Sequence, residues 1–267
     1  MKNFTNYKEY DKKENLKMGS KVVHGAVGHD PFTGSVSFPI FQTATFRFRA
    51  LQDSFGYDYT RLQNPTVEEL ERTLAMLENG THALALSSGM AAVMCAFSLL
   101  KRGDHLISSD DIYGGTYEIA KTELIDRGVE TTFVDLSDFE LFKASIKENT
   151  KMIFIESPTN PTMKVADITE ICKVAKEKGI IVVVDNTLLT PYYQKPLDLG
   201  ADIVIHSGTK YLEGHNDTMA GFVITNKEEY FTPMRTFLTY QGAFLAPLNA
   251  WLTLRGIKSL EVRMQRH

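Results

Sequence analysis

A lysine in a polar turn after a buried strand is the residue of this sequence best placed to do chemistry. Residues 203–205 are all β-branched and predict a short strand covered on both faces. The turn that follows contains Ser207, Thr209 and Lys210. A lysine amine can form a Schiff base with an aldehyde, and nearby hydroxyls can donate to an anion. Most lysines in polar turns are simply exposed, but ligands of parallel α/β sheets collect at such strand ends.

Other polar residues occupy equivalent positions at the ends of neighbouring predicted strands. Asp185 follows the apolar residues 180–184, and a buried carboxylate needs partners. Ser88, Gly89 and Met90 lie in a strand-to-helix turn, where backbone N–H groups can bind phosphate. The small residues there are equally explained by close packing of the helix on the sheet.

Two aromatic residues lie in loops that could also contact a ligand. Tyr113 precedes two glycines and could stack on a planar ligand, or it could pack as an ordinary loop residue. Tyr59 and Arg61 carry groups that donate to phosphate. The alternative for this pair is a turn with one exposed guanidinium, and spacing alone does not decide between the two.

The composition restricts the function classes. The chain has 267 residues, of which 43% are hydrophobic, and this content is enough for a sizeable core. Its net charge of -4 argues against a nucleic-acid partner. Its apolar runs are too short to span a membrane, and its charged N-terminus is unlike a signal peptide. Cys95 and Cys172 are expected to be buried, reduced thiols of a cytoplasmic protein. The histidines show no metal-ligand spacing, so no metal site is expected.

The apolar segments alternate in a way that predicts an α/β fold. Strands are expected at residues 83–86, 104–108, 131–135, 152–156, 180–184, 203–205 and 220–225. Roughly five or six of them, most joined by crossover helices, would form a doubly wound, mostly parallel sheet. We expect residues 1–58 to form an N-terminal arm that contacts a partner subunit, although a plain surface loop is the alternative. Residues 59–250 would form a large domain, and residues 251–267 would begin a long helix.

Local signals set the expected ends of several helices. Thr66 is expected to cap one helix, and Asp167 and Gly179 are expected to bound another. The last helix begins near Pro247 and is still amphipathic at His267.

Two chemical functions can be compared on these residues. Pyridoxal 5'-phosphate (PLP) needs a lysine, an acid at its ring nitrogen, a phosphate site and a stacking group; the chain offers all four at strand ends. A nicotinamide dehydrogenase is the second hypothesis, because Tyr117 and Lys121 have the spacing that short-chain dehydrogenases use. No Gly-x-Gly-x-x-Gly turn follows an early strand, so PLP is favoured. A non-catalytic protein that keeps only the fold is a third possibility.

Three motifs carry a resemblance to a known family. They are residues 207–217, the run Asp185-Asn186-Thr187, and residues 59–66. Together they resemble the Cys/Met-metabolism PLP-dependent enzymes, which include cystathionine γ-synthase, the cystathionine lyases, methionine γ-lyase and O-acetylhomoserine sulfhydrylase. The resemblance extends from about residue 23 to residue 267. It implies a type I (aspartate-aminotransferase-like) fold and a homotetramer built from close dimers.

The resemblance also implies a role for each matching residue. Lys210 would bind the PLP aldehyde, Asp185 would keep the ring nitrogen protonated, Tyr113 would stack on the ring, and Asn160 would bind its phenolate oxygen. The phosphate would be bound by a set of backbone and hydroxyl groups from Ser88, Gly89, Met90, Ser207 and Thr209. Tyr59 and Arg61 would reach the phosphate of the neighbouring subunit's cofactor.

The resemblance favours one reaction over its relatives. Gly115 stands where methionine γ-lyases have cysteine, which favours a γ-synthase that joins cysteine to an O-acyl-homoserine. Cystathionine lyases acting on cystathionine and the sulfhydrylase are the alternatives. Family members continue into a C-terminal domain that carries the arginine for the substrate carboxylate, and we expect this domain to be absent here. Arg255 and Arg263 are nearby alternatives, but we expect both to be solvated helix-surface residues.

Overall fold

The computed structural model describes residues 16–26, 29–30 and 32–267. Part of the expected N-terminal arm, residues 1–15 with 27, 28 and 31, therefore lies outside the described residues. The N-terminal elements are α1 (Met18–His24), β1 (Phe48–Ala50), β2 (Asp53–Ser54) and α2 (Pro65–Leu77). The sheet region contains β3 (His82–Leu86), α3 (Gly89–Phe97), β4 (His105–Ser109), α4 (Gly114–Lys121), α5 (Glu123–Asp126), β5 (Glu130–Val134), α6 (Phe139–Ala144), β6 (Thr150–Glu156), α7 (Ile168–Lys178), β7 (Ile181–Asp185), α8 (Thr190–Tyr193), β8 (Ile203–Ser207) and β9 (Gly221–Thr225). The chain then forms α9 (Glu228–Gln241), α10 (Pro247–Ile257) and α11 (Leu260–Arg266).

One seven-stranded sheet organises the fold, with strand order β3-β9-β8-β7-β6-β4-β5. The strands from β8 to β5 pair in parallel, whereas β9 is antiparallel to both of its neighbours. This confirms the predicted mostly parallel sheet, with seven strands instead of five or six. β9 reverses direction because the chain returns from β8 through a loop, and antiparallel strands need no crossover helix.

The sheet divides the core into layers on its two faces. Ile203 and Ile205 of β8 pack with Phe97 and its neighbours in the cluster that includes α3 and α9 residues. Val204, between them, packs with Leu74 and the other apolar residues of α2, α10 and α11. Residues of α6 and α7 form a third cluster against the central strands. A strand covered on both faces must be apolar throughout, which explains why the apolar run 203–205 predicted this strand.

The helix ends agree with the sequence signals in one case and differ in another. Asp167 caps α7 through the N–H of Glu170, and Gly179 ends that helix in the left-handed conformation, as predicted. The predicted cap of α2 at Thr66 is wrong. Asn64 is the cap, because Pro65 at the first helical position fixes the geometry and the Asn64 side chain accepts the N–H of Thr66.

The end of the described chain is two helices instead of one. α10 stops at Ile257, and α11 begins at Leu260 after a turn at Ser259. Both pack on the cluster that contains α2. The long helix α9, which contains Pro233, was not predicted from the sequence. Within the described residues, no helix is both long and apolar enough to cross a lipid bilayer.

Candidate active site

A cavity of about 1240 Å³ lies where β3, β4, β6, β7 and β8 end. It gathers most of the residues singled out in the sequence, namely Ser88, Gly89, Met90, Tyr113, Asn160, Asp185, Ser207, Thr209 and Lys210. They come from five loops that are far apart in the chain. Parallel strands bring these loops together because their carboxyl ends meet at one edge of the sheet.

Lys210 enters the cavity from a tight turn between β8 and β9. Its N–H donates to the carbonyl of Ser207 (3.2 Å), and its own carbonyl accepts the N–H of Gly214 (2.9 Å). Thr209 ties the same turn to the next strand, because its hydroxyl exchanges hydrogen bonds with the carbonyl and N–H of Ala220 (3.3 and 3.2 Å). The lysine therefore projects from a turn that is bonded at both ends.

Asp185 ends β7 and is held by the residue two positions later. Its Oδ1 accepts hydrogen bonds from the N–H (3.0 Å) and hydroxyl (2.5 Å) of Thr187. The same hydroxyl accepts the N–H of Ser207 (2.8 Å), so the ends of β7 and β8 are linked. Burial raises the pKa of Asp185 above its ordinary value, and the hydrogen bonds from Thr187 oppose that change. A cationic group bound against this carboxylate would favour its ionised form.

The N-terminus of α3 forms a cradle for an anion. Ser88 caps the helix by accepting the N–H of Ala91 (3.1 Å). A β-carbon added to Gly89 would lie 2.8 Å from Cβ of Ser207, so only glycine permits this close approach. The first N–H groups of a helix have no partner within it, and Gly89 and Met90 at the start of α3 line the same cavity as Ser207. This arrangement suits a phosphate group.

Glu156 connects two of the cavity loops and was missed in the sequence. Its Oε2 accepts the N–H of Tyr113 (2.9 Å) and its Oε1 accepts the N–H of Asn160 (2.9 Å). Burial, followed by the neighbouring Asp185 carboxylate, raises the pKa of Glu156 to about 7. The signal was available, because Glu156 ends an apolar strand just as Asp185 does.

A second carboxylate fixes the same two loops further out. Oδ2 of Asp111 accepts the hydroxyl of Thr159 (2.6 Å) and the N–H of Thr162 (3.1 Å). Lys164 from this loop pairs with Asp135 (2.8 Å) across the strand ends. The Asn160 loop is therefore held on both sides of the asparagine.

A buried polar network lies behind the cavity, on the opposite side of β7 and β8. Oε1 of Glu78 accepts a hydrogen bond from the side-chain amide of Asn186 (2.9 Å) and lies 2.6 Å from Nε2 of His206. Gln194 donates to the Asn186 side chain (3.0 Å). Asn186 follows Asp185 in sequence and His206 precedes Ser207, so one carboxylate anchors both strands from behind.

Several residues considered in the sequence lie outside the cavity. Tyr59 is 39% exposed, and Arg61 donates to the carbonyl of Thr239 (2.6 Å) and lies over the Tyr59 ring. Tyr117 and Lys121 lie on α4, where the lysine contacts the tyrosine ring, and neither lines the cavity. The structure thus does not join this pair to the cavity, which removes the support for a dehydrogenase.

The expectation that Arg263 is a solvated surface residue is wrong. Arg263 is half-buried, lines the cavity, and donates to the carbonyl of Tyr211 (2.6 Å). The reason is that α11 folds back onto the Lys210 turn instead of continuing outward from α10. Arg255 is exposed, as expected.

Comparison with known proteins agrees with this geometry. Residues 19–267 match the family model described as Cys/Met metabolism PLP-dependent enzyme. The chain is 47% identical over 238 residues to the "Cystathionine gamma-synthase/O-acetylhomoserine (thiol)-lyase" of Bacillus subtilis, covering 89% of this chain and 64% of that protein. It is 46% identical to the "Cystathionine beta-lyase" of Lactococcus lactis subsp. cremoris, covering 93% of this chain and 65% of that protein. The crystal structure of metB from Corynebacterium glutamicum superposes with a TM-score of 0.91 at 41% identity, covering 93% of this chain and 65% of that one.

Proposed function

Because the chain belongs to the Cys/Met metabolism PLP-dependent enzymes and uses pyridoxal 5'-phosphate as its cofactor, we propose that it acts on carbon–sulfur bonds of sulfur amino acids. The family, the cofactor and the type I fold agree with the sequence-based expectation. The chain spans 64% and 65% of the lengths of the two relatives described above, so the reaction of the whole protein is the subject of this proposal.

The cavity that gathers Lys210, Asp185 and the N-terminus of α3 is the observation that carries the proposal. PLP is a planar ring with an aldehyde, a basic ring nitrogen and a phosphate, and it supplies an electron sink for carbanions when bound. Lys210 would hold the aldehyde, and Asp185 would pair with the protonated ring nitrogen. The N-terminus of α3, together with Ser207, would bind the phosphate, and the close approach of Gly89 to Ser207 leaves no side chain in its place.

The remaining cavity residues would orient the ring and the substrate proton. Tyr113 would cover one face of the ring and Asn160 would bind the phenolate oxygen, with Thr209 adding a hydroxyl to the phosphate site. Glu156 accepts hydrogen bonds from the backbone N–H groups of Tyr113 and Asn160, and it thereby fixes their two loops relative to each other. We assign proton movement to the amine of Lys210, which would take the proton from the substrate Cα, give it up again, and only then take a proton from Cβ.

Among the reactions of the family, we propose γ-replacement on an O-acyl-homoserine by cysteine. A side chain at Gly115 would approach Cε1 of Tyr113 to 2.7 Å and Sδ of Met90 to 2.9 Å. A cysteine there, as in the methionine γ-lyases, would require the Tyr113 ring or the Met90 side chain to move. The 47% identical relative is named as both a cystathionine γ-synthase and an O-acetylhomoserine (thiol)-lyase, so the sulfhydrylase reaction stays an alternative. Cleavage of cystathionine is a second alternative, because the 46% identical relative is named as a β-lyase.

We further propose that the active enzyme is a homotetramer of close dimers in which Tyr59 and Arg61 serve the neighbouring subunit. The position of Tyr59 and Arg61 supports this proposal, because both lie outside the cavity of their own chain and the Tyr59 side chain is partly exposed. Mixing Lys210→Ala chains with Arg61→Ala chains tests this. Shared sites would regain activity on mixing, because one of the two hybrid sites has both residues, whereas unshared sites would stay inactive.

The central experiment measures cofactor capture and substrate choice separately. The purified chain is loaded with PLP and reduced with borohydride, and the modified lysine is located by mass spectrometry. We expect the label on Lys210 and its loss in Lys210→Ala, with Lys151→Ala as the exposed control. Labelling of Lys210→Ala at the parent level would contradict the assignment of this lysine.

Substrate choice is then tested with two assays on the same preparation. O-acyl-homoserine with cysteine is compared with cystathionine alone, at equal cofactor loading. Formation of cystathionine in the first assay supports the γ-synthase. Turnover of cystathionine without turnover in the first assay would replace that assignment with a lyase, and the cofactor assignment would stand.

A further inference from the structure

The turn that carries Lys210 ends in carbonyl groups that need donors from outside it. Residues 208–213 form hydrogen-bonded turns, in which the N–H of Glu213 donates to the carbonyl of Gly208 (3.0 Å) and that of Gly214 donates to the carbonyl of Lys210 (2.9 Å). The carbonyls of Tyr211 and Leu212 lie between these two bonds and the end of the turn. Among the described residues no backbone N–H donates to either carbonyl, and backbone carbonyls shielded from water need a donor.

Arg263 supplies those donors from the last helix. Its Nη1 donates to the carbonyl of Tyr211 (2.6 Å), and its Nη2 lies within hydrogen-bond range of the carbonyl of Leu212 (3.4 Å). Nη2 also donates to the carbonyl of Gly256 (3.1 Å), and Nε donates to the hydroxyl of Ser259 (2.9 Å). A planar guanidinium can make such a set at once, whereas a lysine ammonium cannot.

The last two helices contact the Lys210 turn closely, through the Arg263 side chain and through the backbone at Gly256. A β-carbon on Gly214, whose φ is +76°, would lie 2.4 Å from Cζ of Arg263. A β-carbon on Gly256 would lie 2.1 Å from the carbonyl oxygen of Glu213. Burial lowers the pKa of Arg263 from its ordinary value, and the Glu213 carboxylate opposes this. Gly256 near the end of α10 thus packs directly on the backbone of Glu213, and the Arg263 side chain packs directly on Gly214.

We propose that Arg263 is a positioning residue for Lys210. It fixes the carbonyls that directly follow the lysine, so it sets the direction in which the lysine side chain enters the cavity. The N–H donors on Nε and Nη2, and one donor on Nη1, are hydrogen-bonded to oxygen atoms of the protein. This disfavours a role of Arg263 in binding a substrate carboxylate. The consequence for cofactor capture rests on the proposed function.

Amide hydrogen exchange of the chain without cofactor tests the hold on the turn. We compare Arg263→Gln with Arg266→Gln, an exposed arginine on the same helix. In Arg263→Gln, the amides of Glu213 and Gly214 should exchange roughly ten- to a hundredfold faster, the factor expected for a lost hydrogen bond from a charged donor. Arg266→Gln should match the parent. Parent-like exchange in Arg263→Gln would overturn the proposal.

Cofactor capture by Lys210 tests the consequence for the site. The rate at which PLP becomes reducible onto Lys210 should fall about tenfold or more in Arg263→Gln. Arg263→Lys should recover only part of the rate. Reversible binding of inorganic phosphate should stay at the parent level, because the N-terminus of α3 is untouched. Faster exchange with unchanged capture would also overturn the proposal, since the turn would then be loose without misdirecting the lysine.

Two outcomes keep this proposal distinct from the proposed function. If the parent itself fails to capture PLP on Lys210, the proposed function is wrong, and exchange alone decides whether Arg263 holds the turn. If Arg263→Gln does not fold, Ser259→Ala is used instead. It removes the acceptor of Nε while leaving the guanidinium, and a smaller change of the same sign is expected. Parent values in that variant for both measurements would refute the role of Arg263.

Discussion

Replacing Glu156 by glutamine should change how the stability of the cofactor-free chain depends on pH. Burial and the Asp185 carboxylate raise the pKa of Glu156 from 4.5 to about 7 in the folded chain. Between these values the folded state binds more protons than the unfolded state. The free energy of unfolding therefore decreases as the pH rises through this interval. Glutamine does not titrate, so the variant lacks this contribution.

The size of the effect follows from the two pKa values. The difference between about 7 and 4.5, at about 1.4 kcal/mol for each pH unit, corresponds to roughly 3 kcal/mol above neutral pH. Glutamine has one acceptor oxygen, so it keeps one of the two hydrogen bonds from the N–H groups of Tyr113 and Asn160. Losing the other costs about 1–3 kcal/mol, but this cost is the same at every pH.

Urea unfolding of the cofactor-free chain at about pH 5, 6, 7 and 8 measures this difference. The free energy of Glu156→Gln minus that of the parent should rise by about 2–3 kcal/mol across the series. Glu177→Gln, at an exposed position, is the control and should run parallel to the parent. A constant difference between Glu156→Gln and the parent would show that Glu156 does not titrate near neutral pH, and the reasoning would fail.

Three further substitutions have defined expected results. Asp185→Asn should lower kcat by about 10²–10³ at equal cofactor loading, because in the proposed site the ring nitrogen would lose its charged partner. An unchanged kcat would remove Asp185 from the mechanism. Glu78→Leu should cost about 3–5 kcal/mol in urea unfolding, because it leaves buried polar partners behind β7 and β8; a cost as small as that of Glu177→Leu would contradict this. Gly89→Ala should cost about 1–3 kcal/mol, since its Cβ meets Ser207, and Gly114→Ala, whose Cβ would be in open space, should be near neutral.

The parts of the fold that could be predicted from sequence are those where local pattern and burial agree. Residues 203–205 are apolar because β8 is covered on both faces, and every other predicted sheet strand matches an observed one within two residues. The cavity residues could be predicted because the carboxyl ends of parallel strands lie at the same edge of the sheet, independently of how the helices pack. The α2 cap was misassigned because Asn64 and Thr66 are both good caps and only Pro65 distinguishes them.

The parts that could not be predicted depend on partners far apart in the chain. Glu78 and His206 are separated by 128 positions and meet only after β8 enters the sheet. Neither residue has a local pattern that indicates the other. Arg263 has the spacing of a helix-surface arginine, and its burial follows from the break between α10 and α11. Glu156 is different, since its position at a strand end was visible and only its loop partners were hidden.

The charges of the cavity explain why it suits a ligand with a positive and a negative end. Glu156 and Asp185 are paired residues of β6 and β7, and the Asp185 carboxylate contributes to the raised pKa of Glu156. Burial raises the pKa of both. The N-terminus of α3 and the Ser207 hydroxyl offer donors at another part of the same cavity. The protonated ring nitrogen of a ligand would favour the ionised carboxylates, and its phosphate would accept hydrogen bonds from the donors. A ligand that has only one of these two groups would make only one of these two interactions. The cavity loops are held in place without the cofactor by the Glu156 hydrogen bonds, by the network behind β7 and β8, and by Arg263. Binding energy of the cofactor therefore need not be spent on ordering these loops.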